Sequence, residues 1–222
     1  MNAILQEKRF ILQSAITAGL VDANVGLENV SQSYLRSETD IDNQGTIKHY
    51  LTETSKASRN PSEVLLAQND VFVMTHISMA FTKIATATPT SLQRATAILH
   101  SFVNPNVFDA TEDASMNAIV NGRFSLSVNQ VKILPAVPMR AFERVHTSQQ
   151  GTTTFDASNI VGRSEHVSGL DGYFPIDHVI VSGKTKIDPE INLGVSTDLT
   201  PADETNTVVM LVKGYLISNA KG

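Results

Sequence analysis

The stretch GRFSLSVNQVKILPAVPMRAFERV, residues 122–145, contains the longest sustained β pattern in the chain. In its first part, Phe124, Leu126 and Val128 alternate with polar residues. An alternation of period two is typical of a strand with one buried and one solvated face. The opening stretch therefore predicts a half-buried strand.

The second part of this stretch continues the apolar run in a shifted register. We therefore predict a bulge or bend near Gln130. Pro135 and Pro138 favour an edge strand or a corner, because proline cannot donate a backbone hydrogen bond to a neighbouring strand. A strand that changes face and then turns a corner is typical of β-sandwiches and barrels.

Two other segments predict strands in the interior of a sheet. Residues 70–84 place apolar side chains at alternate positions and predict a long central strand. Its expected apolar face consists of Val71, Val73, Ile77, Met79 and Phe81. Residues 207–218 are apolar on both faces, so we place this strand deep in a sheet. Within it, Gly214 indicates a bulge or a close backbone approach.

A hairpin is predicted around Ser182-Gly183-Lys184, between a strand over residues 178–181 and a returning strand over residues 187–193. Asp188-Pro189 in the returning strand suggests a sheet edge. Residues 90–100 fit a short helix or a strand, and the pattern leaves that choice open. Taken together, the predicted strands indicate a mainly β fold, a jelly-roll-like β-sandwich of about seven or eight strands.

The N-terminal part of the sequence has helical instead of β patterns. Residues 4–16 carry apolar side chains at helical spacing and predict an amphipathic helix that ends at Gly19. A second helical pattern covers residues 24–37. The following residues to 61 are polar and predict a loop with at most a short strand at 46–51. We therefore divide the chain into a helical arm and linker, residues 1–60, and a β-sandwich domain, residues 61–222, with a long polar loop at 147–172.

Composition excludes several functional classes. The 222 residues include no Cys, so disulfides, thiolate metal sites and Cys nucleophiles are impossible. The net charge of −5 is not that of a nucleic-acid-binding domain. We expect a soluble protein without a cleaved signal or a transmembrane segment. With 41% hydrophobic and only 18% charged residues, the surface must be rich in Ser, Thr, Asn and Gln, which suits contact with protein or sugar.

No motif predicts catalysis, a cofactor or a metal ion. Residues 40–45 begin a calcium-loop pattern, but Leu51 stands where the closing carboxylate belongs. The six His residues lack the spacing of zinc ligands. Ser164 and His166 are neighbours in sequence, but a triad needs members that converge in space. Phosphate-binding glycine motifs are absent. We therefore predict no catalytic, cofactor-binding or metal-binding residues.

Three segments together resemble a known class of protein. They are NAIVNGRFSLSVNQVKILPAVPMRAF (117–142), GYFPIDHVIVSGKTKIDPEINL (172–193) and TVVMLVKGYLISN (207–219). Their order after a helical arm resembles structural proteins of bacteriophage virions, in particular capsid proteins of the jelly-roll type. The resemblance implies a non-enzymatic subunit that assembles with copies of itself and with other virion proteins, is put together in the host cytoplasm, and resides in the virion.

The first hypothesis is therefore a self-assembling capsid or capsid-associated subunit. Its expected contact residues are the apolar side chains of the arm: Ile4, Leu5, Ile11, Leu12 and Ile16. The 147–172 loop is expected at a subunit junction, and removal of residues 1–20 is expected to abolish assembly while the sandwich stays folded. The alternative is a monomeric ligand- or carbohydrate-binding sandwich that uses its long loops. A hydrolase built from Ser164 or from loop carboxylates is a third hypothesis.

Overall fold

The structure is a computed structural model and describes residues 3–42, 44–56, 59–103, 107–108, 116–143, 173–197 and 203–220. In chain order its helices and strands are α1 (Ala3–Thr17), β1 (Val30–Asp40), β2 (Gln44–Lys48), β3 (Val71–Ile84), α2 (Ser91–Thr96), β4 (Arg123–Val128), β5 (Val131–Pro138), β6 (Phe174–Ser182), β7 (Ile187–Thr197) and β8 (Thr205–Ile217). The predicted 147–172 loop, with Ser164 and His166, lies outside the described residues. Within the described ranges no helix is long and apolar enough to cross a membrane.

The strands form two packed antiparallel sheets of four strands each. Sheet A has the order β1-β8-β3-β6, and sheet B has the order β2-β7-β4-β5. Strand 1 pairs with 8, 2 with 7, 3 with 6 and 4 with 5, so the chain is a nested set of strand pairs folded over into two layers. This arrangement is a jelly roll. The predicted β-sandwich with an N-terminal helix is confirmed, and the described residues contain eight strands.

The opening stretch folds as a hairpin at one edge of sheet B. Phe124 and Leu126 are fully buried between the sheets, as the alternation predicts. The predicted bend is a tight turn, in which Asn129 and Gln130 have φ angles of 49° and 69°. Positive φ at both central residues is typical of a type I′ turn, the connection whose twist matches a hairpin. After the turn β5 forms the edge of sheet B, in agreement with its two prolines.

β3 is central in sheet A, as predicted, but its apolar residues do not share one face. The register with β8 shifts between Met74 and His76, so one extra residue, Thr75, interrupts the alternation. Before this bulge Val71 and Val73 face away from sheet B. After it the expected apolar face turns to the inter-sheet core, with Ile77, Met79 and Phe81 buried there.

Gly214 lies opposite this bulge, and the predicted close approach is confirmed. A Cβ atom on Gly214 would lie 1.9 Å from the carbonyl oxygen of Val73 and 2.9 Å from the Phe72 ring. No side chain fits at that distance. β8 itself lies between β1 and β3, which confirms its predicted place deep in the sheet.

α1 packs on the outer face of sheet A. Ile11, Leu12 and Ala15 are buried against residues of all four sheet A strands. The helix ends as predicted, with Gly19 at a φ of 70° and its N–H donating to the carbonyl of Ile16 at 2.9 Å. Because α1 covers apolar residues of its own sheet, the expectation that the sandwich is unaffected by removal of residues 1–20 is corrected: that deletion uncovers part of the core.

The prediction of a helix over residues 24–37 is wrong. This segment forms a short 3-10 turn followed by β1, which pairs with β8 along its whole length. Val30 packs under α1 and Leu35 packs between the sheets, so the two side chains occupy opposite faces. The 1–60 segment thus contributes β1 to sheet A and β2 to sheet B. β2 is the short strand predicted at 46–51, and α2 is the helical alternative at 90–100.

The prediction of a hairpin at residues 178–193 is also wrong. β6 pairs with β3 in sheet A, whereas β7 pairs with β2 and β4 in sheet B, so the Ser182–Lys184 connection passes from one sheet to the other. Pro189 does not mark an edge, because β7 lies inside sheet B. The carbonyl of Pro189 accepts from the His49 N–H at 2.9 Å, just where β2 has ended. The missing N–H of Pro189 therefore faces the end of the neighbouring strand.

An ionic cluster fixes the segment before β3 to the free edge of β1. Val64 and Arg36 exchange two backbone hydrogen bonds. The Glu63 carboxylate accepts from Lys56 at 2.6 Å and from the Glu38 N–H at 2.7 Å, and Ser62 donates to Glu38 at 2.6 Å. Both carboxylates are buried and fully hydrogen-bonded, as a buried charge requires. Sheet A is thus covered by α1 at one end and by this segment farther along.

Candidate functional site

The predicted contact residues of α1 divide into two groups. Ile11 and Leu12 are buried in the helix–sheet contact, and Ile16 packs partly against it. Ile4 and Leu5 remain 51% and 37% exposed. Phe10, which the sequence reasoning did not select, is 60% exposed and contacts the His178 ring edge-on at 5.8 Å between centroids. By helical spacing Ile4 and Leu5 lie on the side of α1 that carries Ile11 and Leu12, whereas Phe10 lies away from that side. We call Ile4, Leu5 and Phe10 the α1 patch, meaning the exposed apolar residues of this helix.

A second exposed apolar pair lies beside α2. Leu92 is 72% exposed and Ile98 is 70% exposed. Leu92 lies on α2 and Ile98 follows it. The helix begins with a capping box, in which the Thr90 hydroxyl accepts from the Gln93 N–H and the Gln93 side chain accepts from the Thr90 N–H. We call Leu92 and Ile98 the α2 patch. Leu92 stands between polar neighbours, whereas Ile98 lies between Ala97 and Leu99, so the sequence alone does not separate their exposure from burial.

An ion pair ties α2 to the end of β1. The Arg94 guanidinium donates to both oxygens of the Asp40 carboxylate, at 2.9 and 2.8 Å, and Thr207 donates to the same carboxylate at 2.9 Å. Burial raises the pKa of Asp40, but the hydrogen bonds from Arg94 and Thr207 and the charge of Arg94 outweigh it and lower the pKa overall. The first carboxylate of the apparent calcium pattern is therefore already engaged by protein groups.

The two patches lie at opposite ends of sheet A. α1 covers the end where Val30 pairs with Ile217, and α2 is tied to the end where Asp40 pairs with Thr207. At about 3.3 Å per residue, the eleven residues of β1 separate these ends by roughly 33 Å. The patches are therefore distinct surfaces of one subunit.

A cleft of about 620 Å³ opens on sheet B. Its floor consists of outward-pointing side chains of β7 and β4, because Ile187 and Ile191 point into the core and alternate residues point away from it. The loop at residues 52–55 and the β6–β7 connection form its walls, and Thr54 joins them by donating to the Gly183 carbonyl at 3.1 Å. The sequence reasoning missed this site, since its residues come from three separate parts of the chain, residues 48–55, 127–130 and 184–190.

Charged groups of both signs line the cleft. Three are ammonium groups, those of Lys48, Lys184 and Lys186, and two are carboxylates, those of Asp188 and Glu190. Lys186 and Asp188 are 3.4 Å apart, and Lys48 stands directly across from Glu190 in the strand register. Three positive and two negative charges leave the cleft with one net positive charge.

His49 follows β2 beside the cleft and points its ring into the protein. Its ring is buried, and burial, with a smaller effect of the Lys56 charge, lowers the pKa to about 3. The Thr39 hydroxyl donates to the Lys48 carbonyl at 2.7 Å, so it is free to accept from His49 Nδ1, 3.4 Å away. That leaves Nε2 as a bare acceptor without a hydrogen-bond partner among the described residues. His49 is therefore a neutral imidazole at physiological pH.

The described part of the chain shows neither a metal site nor a catalytic triad. No group of three or more His, Asp or Glu side chains is positioned to share a metal ion there. The Ser164 and His166 pair of the hydrolase hypothesis falls outside the described residues, so that hypothesis remains a prediction.

The fold class and the surface define this protein as a jelly-roll β-sandwich with a covered sheet A and an open, polar sheet B. Comparison with protein-family models, with curated proteins and with solved structures gives no significant match. The functional conclusions below therefore rest on the sequence and on the geometry of this chain.

Proposed function

We propose that this chain is a non-enzymatic virion structural protein, a bacteriophage capsid or capsid-associated subunit that assembles with copies of itself. The observation that carries the proposal is the pair of exposed apolar patches at opposite ends of sheet A. Exposed apolar side chains that form a contiguous surface are typical of contact sites. Ile4, Leu5 and Phe10 lie on α1, Leu92 lies on α2, and Ile98 follows α2. The jelly-roll fold and the resemblance to jelly-roll capsid proteins agree with this function.

The positions of the patches favour a head-to-tail contact. A contact between different surfaces of successive copies is heterologous, and heterologous contacts generate rings or extended arrays. In this arrangement the α1 patch of one subunit meets the α2 patch of the next. Full burial of an exposed Phe or Leu stabilises a contact by about 1.5–3 kcal/mol per side chain. The five residues are already partly buried in the subunit, so each contributes less than this to the contact.

The test is the mass of the assembly in solution, measured by light scattering and followed by negative-stain microscopy. A double variant, Phe10→Ser with Leu92→Ser, removes the most exposed residue of each patch without touching the core. We expect the wild-type protein to form particles or arrays and the variant to have the 24.0 kDa mass of one chain. Val131→Ser is the matched control, because Val131 is 63% exposed on the β5 edge, away from both patches.

Two results would contradict the proposal. The first is a monomeric wild-type protein at every concentration, alone and with its co-expressed virion proteins. The second is an unchanged assembly in the double variant, which would remove the patches from the contact. A circular dichroism spectrum identical to that of the wild-type protein is required of each variant, so that loss of assembly is not loss of fold.

The cleft on sheet B favours a second candidate function, a monomeric ligand- or carbohydrate-binding module. Its volume of about 620 Å³ lies within the 300–1,000 Å³ range of small-molecule sites. This candidate predicts saturable binding of a small ligand by a protein that stays monomeric. The light-scattering experiment separates it from the assembly proposal.

A further inference from the structure

We infer that the cleft on sheet B is a binding site for a carboxylated sugar. The inference applies equally to a shell subunit and to a monomer, because the cleft lies on sheet B whereas both apolar patches lie at the ends of sheet A. A failure of sugar binding and a failure of assembly are therefore separate results.

The charges of the cleft select a ligand with a single negative charge. Asp188 has Lys186 at 3.4 Å and Glu190 has Lys48 across the strand pair, whereas Lys184 has no carboxylate partner among the described residues. A ligand carboxylate placed at Lys184 completes the charge balance of the cleft. Anions with two or more charges, such as phosphates, are disfavoured because they would approach two carboxylates at close range.

The hydrogen-bonding groups of the cleft select hydroxyl groups on that ligand. The Asp188 and Glu190 carboxylates accept hydrogen bonds from hydroxyl groups, and Ser127 provides a hydroxyl that can donate or accept. Tyr50, half-buried beside them, presents an aromatic ring of the kind that packs against the apolar face of a sugar ring. One carboxylate, several hydroxyls and one apolar face together describe a uronic or sialic acid.

The wall that carries Lys184 is held in place before any ligand binds. The Thr185 hydroxyl accepts from the Ser182 N–H at 2.9 Å. Lys186 is tied to the β4–β5 turn, since its carbonyl accepts from the Asn129 N–H at 2.9 Å and its N–H donates to the Asn129 side chain at 3.3 Å. A wall fixed in this way loses little conformational freedom on binding, which favours affinity.

The experiment is calorimetric titration of the full chain with glucuronic acid and N-acetylneuraminic acid, with glucose and inorganic phosphate as comparison ligands. We expect saturable binding of a carboxylated sugar, at least tenfold weaker binding of glucose, and affinity that falls as salt is added. Lys184→Gln should weaken the binding about tenfold, the loss of one charge-assisted contact. Lys132→Gln makes the same change in charge on exposed β5, outside the cleft, and should leave the affinity unchanged.

Several outcomes would overturn the inference. Equal affinity for glucose and glucuronic acid removes the carboxylate from recognition. Tighter binding of phosphate than of either acidic sugar would show that the cleft binds phosphate-like anions and not carboxylated sugars. Equal losses in Lys184→Gln and Lys132→Gln indicate a diffuse charge effect instead of a site, and no binding at millimolar sugar rejects the site outright.

Discussion

The outer faces of the two sheets differ in a way that explains much of the molecule. On sheet A, β3 and β8 carry apolar residues on both faces, and α1 covers the outward ones at one end of the sheet, including Val71, Val73 and Ile217. On sheet B, the strands alternate, so core residues such as Phe124 are followed by outward polar residues such as Ser125. The comparison teaches that the N-terminal helix is the third layer that a doubly apolar sheet needs, and that the alternating sheet leaves a polar face open to ligands.

The largest effect is expected at Gly214, the point of closest packing in sheet A. Gly214→Val places a side chain within 2 Å of the Val73 carbonyl, so the central strand pair must separate. We expect a loss of about 3 kcal/mol or more in the free energy of unfolding, measured by denaturant titration. Gly194→Ala on β7 is the control: it has open space around it but a φ of 75°, so backbone strain alone should cost about 1 kcal/mol. Equal losses would contradict the close packing.

A smaller effect is expected from the helix layer. Ile11 is 1% exposed between α1 and sheet A, so Ile11→Ala leaves a cavity and should reduce the free energy of unfolding by about 3 kcal/mol. Ile133→Ala is the matched substitution on the open sheet, where the side chain is 39% exposed, and should cost under about 1 kcal/mol. If both substitutions cost the same, α1 does not form a buried layer on sheet A.

The smallest of the three effects concerns pH and the buried ring of His49. Its folded pKa of about 3 lies below the ordinary value of 6.5, so the unfolded chain binds a proton that the folded protein does not. Stability is therefore complete above pH 6.5 and is lost as the pH falls toward 3, by roughly 2 kcal/mol between pH 6.5 and 5. Denaturant midpoints at those two pH values measure the loss.

His49→Gln should flatten this pH dependence, because glutamine does not titrate. The Asp40 carboxylate supplies an internal comparison: its pKa is lowered from 3.8, so its contribution is lost only as the pH falls below that value. An unchanged slope between pH 6.5 and 5 in His49→Gln would show that another group titrates there.

The sequence correctly predicted the strands whose surroundings require a regular pattern of apolar side chains. β3, β8 and the β4 face follow from apolar runs or strict alternation, and Pro135 correctly indicated an edge. β1 was misread because it is half exposed at an edge of sheet A: Val30 and Leu35 face opposite sides, and the spacing of Leu27, Val30 and Tyr34, three and then four residues, also fits a helix. Local spacing cannot distinguish these cases when the partner strand, β8, lies far along the chain.

The Ser182–Lys184 turn shows a second limit. Its residues suit a hairpin and a crossing between sheets equally well, and the choice is made by the distant partners of the flanking strands. The same reason hid the cleft, since Lys48 and Lys184 become neighbours only through folding. The expected contact residues remain a prediction. Of the side chains that the helical pattern selected, Ile4 and Leu5 are exposed whereas Ile11 and Leu12 are buried against sheet A, and spacing alone does not distinguish the two cases.

The nested strand pairs have a consequence for the order of events during synthesis. β1 and β3 both pair with β8, the last of the eight described strands to be synthesised, so β1 has no partner strand in sheet A until then. Only the β4–β5 hairpin can close early, around its type I′ turn, and the other pairs must wait for loops of increasing length to close. The apolar face of α1 therefore lacks its complete sheet until β8 has been synthesised, and exposed apolar surface of this kind makes a nascent chain prone to aggregation.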